Sequence, residues 1–140
     1  MKRLIKYLQV HLRLVYVLLG LNVLMFIISS IVAVVFNGNL NYALLFLGGE
    51  YTPLVLGGEV WRMVTSAFLH ANIVHLLLNM YAFLMVGVFI EKFYGRRKLL
   101  VIYIVTAIFG SLATIIVDVV QFWGTGGVGV INSLSVGASG

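Results

Sequence analysis

The sequence predicts an all-α polytopic membrane protein, with three complete transmembrane helices, the start of a fourth and an outer loop embedded at the membrane surface. Three observations predict it. The 140 residues are 62% hydrophobic and only 9% charged, whereas soluble domains carry roughly a quarter of their residues as charges. So few charges cannot form a hydrated shell, and lipid is the natural solvent for most of the surface. The apolar residues are also gathered into uncharged runs, each near the roughly 20 residues needed to cross a bilayer. Finally, all basic residues but Arg62 fall into two clusters outside those runs. The formal charge of +5 is therefore an orientation signal, and nucleic-acid binding is excluded. The chain has no cysteine, which excludes disulfides and thiolate chemistry.

The elements follow in order. Residues 1–14 form a basic N-terminus with Lys2, Arg3, Lys6 and Arg13. Residues 15–36 are the first span. A secretory signal peptide is the rival, but the uncharged run Val15–Phe36 exceeds the about 7–15 apolar residues of such a segment, and no small-x-small cleavage site follows. Residues 37–68 form a loop that is too apolar to float in water. It holds Leu44, Leu45, Phe46, Leu47, Tyr51 and Trp61, broken by Gly48-Gly49, Pro53 and Gly57-Gly58. Two readings stay open for it: a structure lying in the membrane interface, where Tyr and Trp are favoured, or a lid packed on the bundle.

The second span is 69–91, with its uncharged run from Ile73 to Ile90. A connecting loop at 92–98 carries Lys92, Arg96, Arg97 and Lys98. The third span is 99–120, a second outer loop is 121–135, and 136–140 begin a fourth span. Two crossings separate the basic clusters, so they share one side, which the positive-inside rule makes the cytoplasm. The expected location is the plasma membrane, crossed several times with the N-terminus cytoplasmic and the loops 37–68 and 121–135 outside.

Polar residues inside spans are expensive and point to function. His75 and Asn79 are four apart, about 40° around a helix, and share a face. His70 is five before His75, about 140° away, and cannot share a small ligand with them unless the helix begins after it. Helix rise puts His75 and Asn79 roughly 4–10 Å below Asn72, shallow enough for water. A fourth span entering from the same side carries Ser139 a few residues into it, so His75, Asn79 and Ser139 converge at one depth. A serine that attacks a carbonyl needs donors for the oxyanion, and the Asn79 amide, the His75 imidazole and the Ser139 backbone N–H are of that kind. Gly137 and Gly140 flank the serine and permit close backbone approach.

Plainer readings stand beside this one. Gly137-Ala138-Ser139-Gly140 also fits a small-residue packing stripe, and His75 with Asn79 also fits interhelical hydrogen-bond glue. No His-Glu-x-x-His is present, so no zinc site is expected. Haem does not fit, because the helix-associated histidines face different ways. Gly124-Thr125-Gly126-Gly127-Val128-Gly129 matches G-x-G-x-x-G, but it follows a membrane span instead of a strand. No cofactor or metal is expected.

Taken in order, Trp61-Arg62, then His70, His75 and Asn79, then Glu91-Lys92 with Gly95, then Gly137-x-Ser139-Gly140 resemble the signature of the rhomboid intramembrane serine proteases. The resemblance covers nearly the whole chain. It implies a rhomboid-like helical bundle and cleavage of transmembrane protein substrates near their outer ends, without metal or nucleotide. By resemblance Ser139 is the nucleophile, and His75 and Asn79 support the oxyanion. Trp61, Arg62 and Glu91 are structural, and His70 supports the site through hydrogen bonds. The base histidine of the family lies on a later span, downstream of the serine. Here the histidines are His11, His70 and His75; His11 is expected across the membrane from Ser139, and the other two match other roles. The expectation is an N-terminal fragment of a six-span protease, inactive alone. The alternative is a non-catalytic relative, pseudoprotease-like or derlin-like, that binds transmembrane clients.

Overall fold

The computed structural model describes residues 13–126 and 134–137. Three helices are long and apolar enough to cross a membrane: α1 (Leu14–Val35), α5 (Ile73–Tyr94) and α6 (Arg96–Gly124). This is the all-α polytopic architecture that the apolar runs predict. Leu24, Ile31, Leu77, Leu78, Met85, Phe109 and Ile116 stay exposed on these helices, as side chains that face hydrocarbon can. The buried core between the spans is small and centres on Leu18, Ala67, Tyr103 and Ala107.

The helices end where capping chemistry ends them, not where apolarity does. Asn72 accepts the His75 N–H at 2.8 Å, so α5 starts at Ile73, and Leu69 before it is extended. The span expected from residue 69 therefore begins later. Residues 92–98, expected as a loop, are helical except at Gly95, whose φ of +85° lies in the region glycine favours. Lys and Arg are good helix formers, so the basic cluster extends both helices up to that one residue. Gln121 to Gly124 likewise continue α6 past the expected limit of 120.

The loop between α1 and α5 is folded. It runs through α2 (Leu40–Phe46), strand β1 (Glu50–Tyr51), α3 (Thr52–Leu56), α4 (Arg62–Thr65) and a 3-10 turn at Ser66–Phe68. Asn39 caps α2 by accepting the Tyr42 N–H, and Pro53 opens α3, where its fixed φ suits a first helical turn. Arg62 holds the loop together. Its guanidinium donates to Glu59 Oε2 at 2.7 Å and to the carbonyls of Leu45 and Gly49 at 2.8 and 2.9 Å. One face of the loop packs inward: Leu44 meets Leu69 and Val136, with Met25 of α1 against them. The other face leaves Tyr42, Phe46, Leu56, Val60 and Trp61 exposed. The loop is thus packed on the bundle and apolar on its free face, which joins features of both sequence readings.

β1 pairs antiparallel with β2 (Leu134–Ser135), Glu50 opposite Ser135 and Tyr51 opposite Leu134. The segment after β2, expected to begin a fourth helix at 136, is still non-helical at Val136 and Gly137. Residues 1–12, with His11, and residues 138–140, with Ser139 and Gly140, lie outside the described residues.

Two polar ties join the spans. Glu91, near the end of α5, accepts the Leu14 and Val15 N–H groups at 2.8 and 3.0 Å and pairs with Arg96 at 3.2 Å. The first N–H groups of a helix lack intrahelical partners, and a carboxylate there also meets the positive end of the helix dipole. In the middle of the bundle, buried Asn22 of α1 donates to the Leu18 carbonyl at 2.7 Å and to Tyr103 Oη of α6 at 3.2 Å.

Candidate active site

At the end of the bundle opposite Glu91, the first turns of α5 carry His75 and Asn79 on one face, both half-buried. Gly137 lies against them. A Cβ on Gly137 would stand 2.8 Å from His75 Cε1, 3.0 Å from His75 Nε2 and 3.1 Å from Asn79 Nδ2, closer than side-chain atoms pack. The Gly137 φ is +98°, so both space and backbone conformation call for glycine there. Two contacts fix this approach. The β1–β2 pairing holds the chain at Leu134 and Ser135, and the Gly137 N–H donates to the Ser66 carbonyl at 2.9 Å.

Asn79 Nδ2 is buried without a hydrogen-bond partner among the described residues. A buried unpaired donor costs about 1–3 kcal/mol, so it is a group waiting for an acceptor. His70 is fully buried, its ring edge-on to His75 with centroids 5.3 Å apart. This closeness is possible because α5 begins after His70, the condition set by the helical angle. Both ring nitrogens of His70 lack a hydrogen-bond partner among the described residues. Burial holds the His70 imidazole well below its ordinary 6.5, at about 4, and neighbouring His75 adds to this, while the Phe68 carbonyl acts weakly the other way. His70 is thus neutral at physiological pH and too weak a base to deprotonate a hydroxyl there.

Of the other residues singled out in the sequence, Trp61 is exposed and Arg62 braces the loop. Glu91 lies sixteen residues along α5 from His75, about 24 Å by helix rise, and takes no part in the site. Among the described residues no three ligating side chains stand close enough to hold a metal ion.

Sequence reasoning missed a second polar cluster beside the first. The Thr52 hydroxyl stands 2.5 Å from Asp118 Oδ2 and 3.4 Å from Glu50 Oε1, and all three residues are buried. The available signal was Asp118, an ionisable residue within an apolar helix.

The fold and these residues define a class, and comparison with known proteins agrees with it. The Rhomboid domain model matches residues 57–140. The chain is 37% identical over 117 residues to Rhomboid-like protease 3 of Toxoplasma gondii, which covers 84% of this chain and 40% of that protein. It is 34% identical over 103 residues to Rhomboid protease GluP of Bacillus subtilis, covering 72% of this chain and 19% of the relative. It is also 34% identical over 71 residues to Inactive RHOMBOID-like protein 8 of Arabidopsis thaliana, covering 50% of this chain and 20% of that protein. This chain is a multi-pass membrane protein of the rhomboid family. It spans less than half the length of each of these relatives.

Proposed function

We propose that this chain carries the nucleophile and oxyanion side of an intramembrane serine endopeptidase that cuts transmembrane substrates near the outer face. One observation carries the reading: the Gly137 backbone packs directly on His75 and Asn79. Ser139 follows Gly137 by two residues in the sequence, and two residues of chain reach at most about 7 Å. Ser139 Oγ attacks the substrate carbonyl carbon while its proton passes to a general base, which the family resemblance places downstream of the serine, and charge develops on the carbonyl oxygen. Asn79 Nδ2, an unsatisfied buried donor, and the Ser139 N–H donate to that oxygen, with the His75 imidazole able to donate from a ring nitrogen. The general base is neither His70, which is neutral and buried, nor His11, which lies before the first span. The basic clusters orient the chain with its N-terminus in the cytoplasm, which sets this site toward the outside of the plasma membrane.

A second reading rests on the relative named inactive: the same bundle binds transmembrane clients without cutting them. One experiment separates the two. The intact protein is expressed with a single-span reporter whose outer domain is released to the medium on cleavage. Release is expected, with Ser139→Ala abolishing it and Asn79→Ala lowering kcat about 10²–10³-fold with little change in KM. Release that persists in Ser139→Ala contradicts the protease reading, and a reporter that co-purifies uncut supports the second.

A further inference from the structure

In the buried cluster of Glu50, Thr52 and Asp118, the Glu50 carboxyl is short of donors among the described residues. A threonine hydroxyl owns one hydrogen, yet Thr52 Oγ lies within hydrogen-bond reach of both carboxyl groups. If both acids were ionised, Thr52 would satisfy one and face the other without a hydrogen. Two carboxylates sharing one buried site do not both ionise. A proton on Glu50 completes the chain: Glu50 O–H donates to Thr52 Oγ, and the Thr52 hydroxyl donates to Asp118 Oδ2.

Among the described residues no cation faces the Glu50 carboxyl to replace that proton. The nearest basic group along the loop is Arg62, whose guanidinium is engaged by Glu59 and by the Leu45 and Gly49 carbonyls. From α6 the cluster meets Asp118 and Ser111, whose hydroxyl favours the ionised Glu50 carboxyl. From the 3-10 turn and β2 it meets Ser66 and Ser135, which line a small cavity with Glu50, Ser111 and Gly137. That cavity is about 10 Å³, roughly the size that admits one water. Glu50 Oε2 and Ser111 Oγ are buried without hydrogen-bond partners among the described residues and offer that water its contacts.

We propose that Glu50 is a protonated positioning residue, which through Thr52 and Asp118 locks strand β1 to α6 and so holds β2 and Gly137 against His75 and Asn79. The link to the site is short: Glu50 pairs with Ser135 across the β1–β2 ladder, and Gly137 follows two residues later. Burial pushes the Glu50 carboxyl up from its ordinary 4.5, and Asp118 pushes the same way, against the Thr52 and Ser111 hydroxyls. A carboxyl raised in the folded state stabilises the fold at low pH, and that contribution is lost as pH rises through the raised value. The lock is therefore closed below the raised value and opens as pH passes it.

The first test does not depend on proteolysis. This chain has four acidic residues, of which Glu59 pairs with Arg62 and Glu91 with Arg96. An infrared difference spectrum of the wild-type protein minus Glu50→Gln at neutral pH is expected to show the carbonyl stretch of a protonated carboxylic acid. Its absence overturns the proposal. The second test rests on the protease reading. Glu50→Gln, a neutral isostere that still donates to Thr52, is expected to keep activity at neutral pH and to move the alkaline limb of the pH profile upward by about one unit or more. Thr52→Val is expected to lose activity that Glu50→Gln keeps. A Glu50→Gln profile with an unmoved alkaline limb, or inactive while its thermal melting is unchanged, overturns the proposal. A protein that shows the infrared band but no cleavage in any form instead refutes the protease reading and leaves the lock intact.

Discussion

Gly137 shows how much depends on a missing side chain. Its left-handed φ and the His75 and Asn79 atoms within about 3 Å of any added Cβ leave no room for alanine. Overpacking of this kind costs about 1–3 kcal/mol, and relief by moving the strand away would draw Gly137 off His75 and Asn79. Gly137→Ala is expected to cut turnover at least tenfold while the melting temperature falls only modestly; unchanged turnover would show that the close approach is dispensable. The pairing of His75 with Asn79 was legible because four residues make nearly one helical turn. The seating of Gly137 on them was not, since it joins residues almost sixty positions apart. Glu50 was hidden for the same reason: in sequence it is a loop acid, and only folding puts Thr52 and Asp118 beside it.

Among the elements, the spans were legible and their ends were not. Uncharged runs located α1, α5 and α6 because hydrocarbon tolerates few charges. The ends are set by Asn72 and Gly95, local devices that hydropathy does not weigh, and by basic residues that extend helices while lying outside the apolar run. The loop of 37–68 was recognised as too apolar for water, yet its internal helices and the β1–β2 pair depend on Arg62 and on long-range partners. Glu91 gives a test at this scale. It supplies acceptors to two N–H groups of α1 from the far end of α5, and hydrogen bonds to a charged group contribute about 1.5–3 kcal/mol each at most. Glu91→Ala is expected to lower stability by about 2–3 kcal/mol in detergent unfolding, with Glu91→Gln intermediate because it keeps one acceptor. Specific activity of the folded fraction should be retained, since Glu91 is far from His75. Equal stability of Glu91→Ala and wild type would remove the capping role.

Across the whole molecule, the two ends of the bundle do different work. At one end Glu91 and Arg96 join the three spans through α1's first turn and the Gly95 corner. At the other, the folded loop and β2 build a polar floor from His70, His75, Asn79, Glu50 and Asp118 beneath an apolar exposed face. Membership of the rhomboid family fits this division, and the family motifs in the sequence fall on both ends. The central claim is that the polar end activates Ser139 as a nucleophile. Its most direct measurement is covalent labelling of the intact protein in membranes with a fluorophosphonate, followed by peptide mapping by mass spectrometry. The expected result is a single adduct on Ser139 that disappears in Ser139→Ala and forms much more slowly in Asn79→Ala. An adduct on a different residue, or cleavage of a transmembrane reporter by a protein whose Ser139 stays unlabelled, would contradict it.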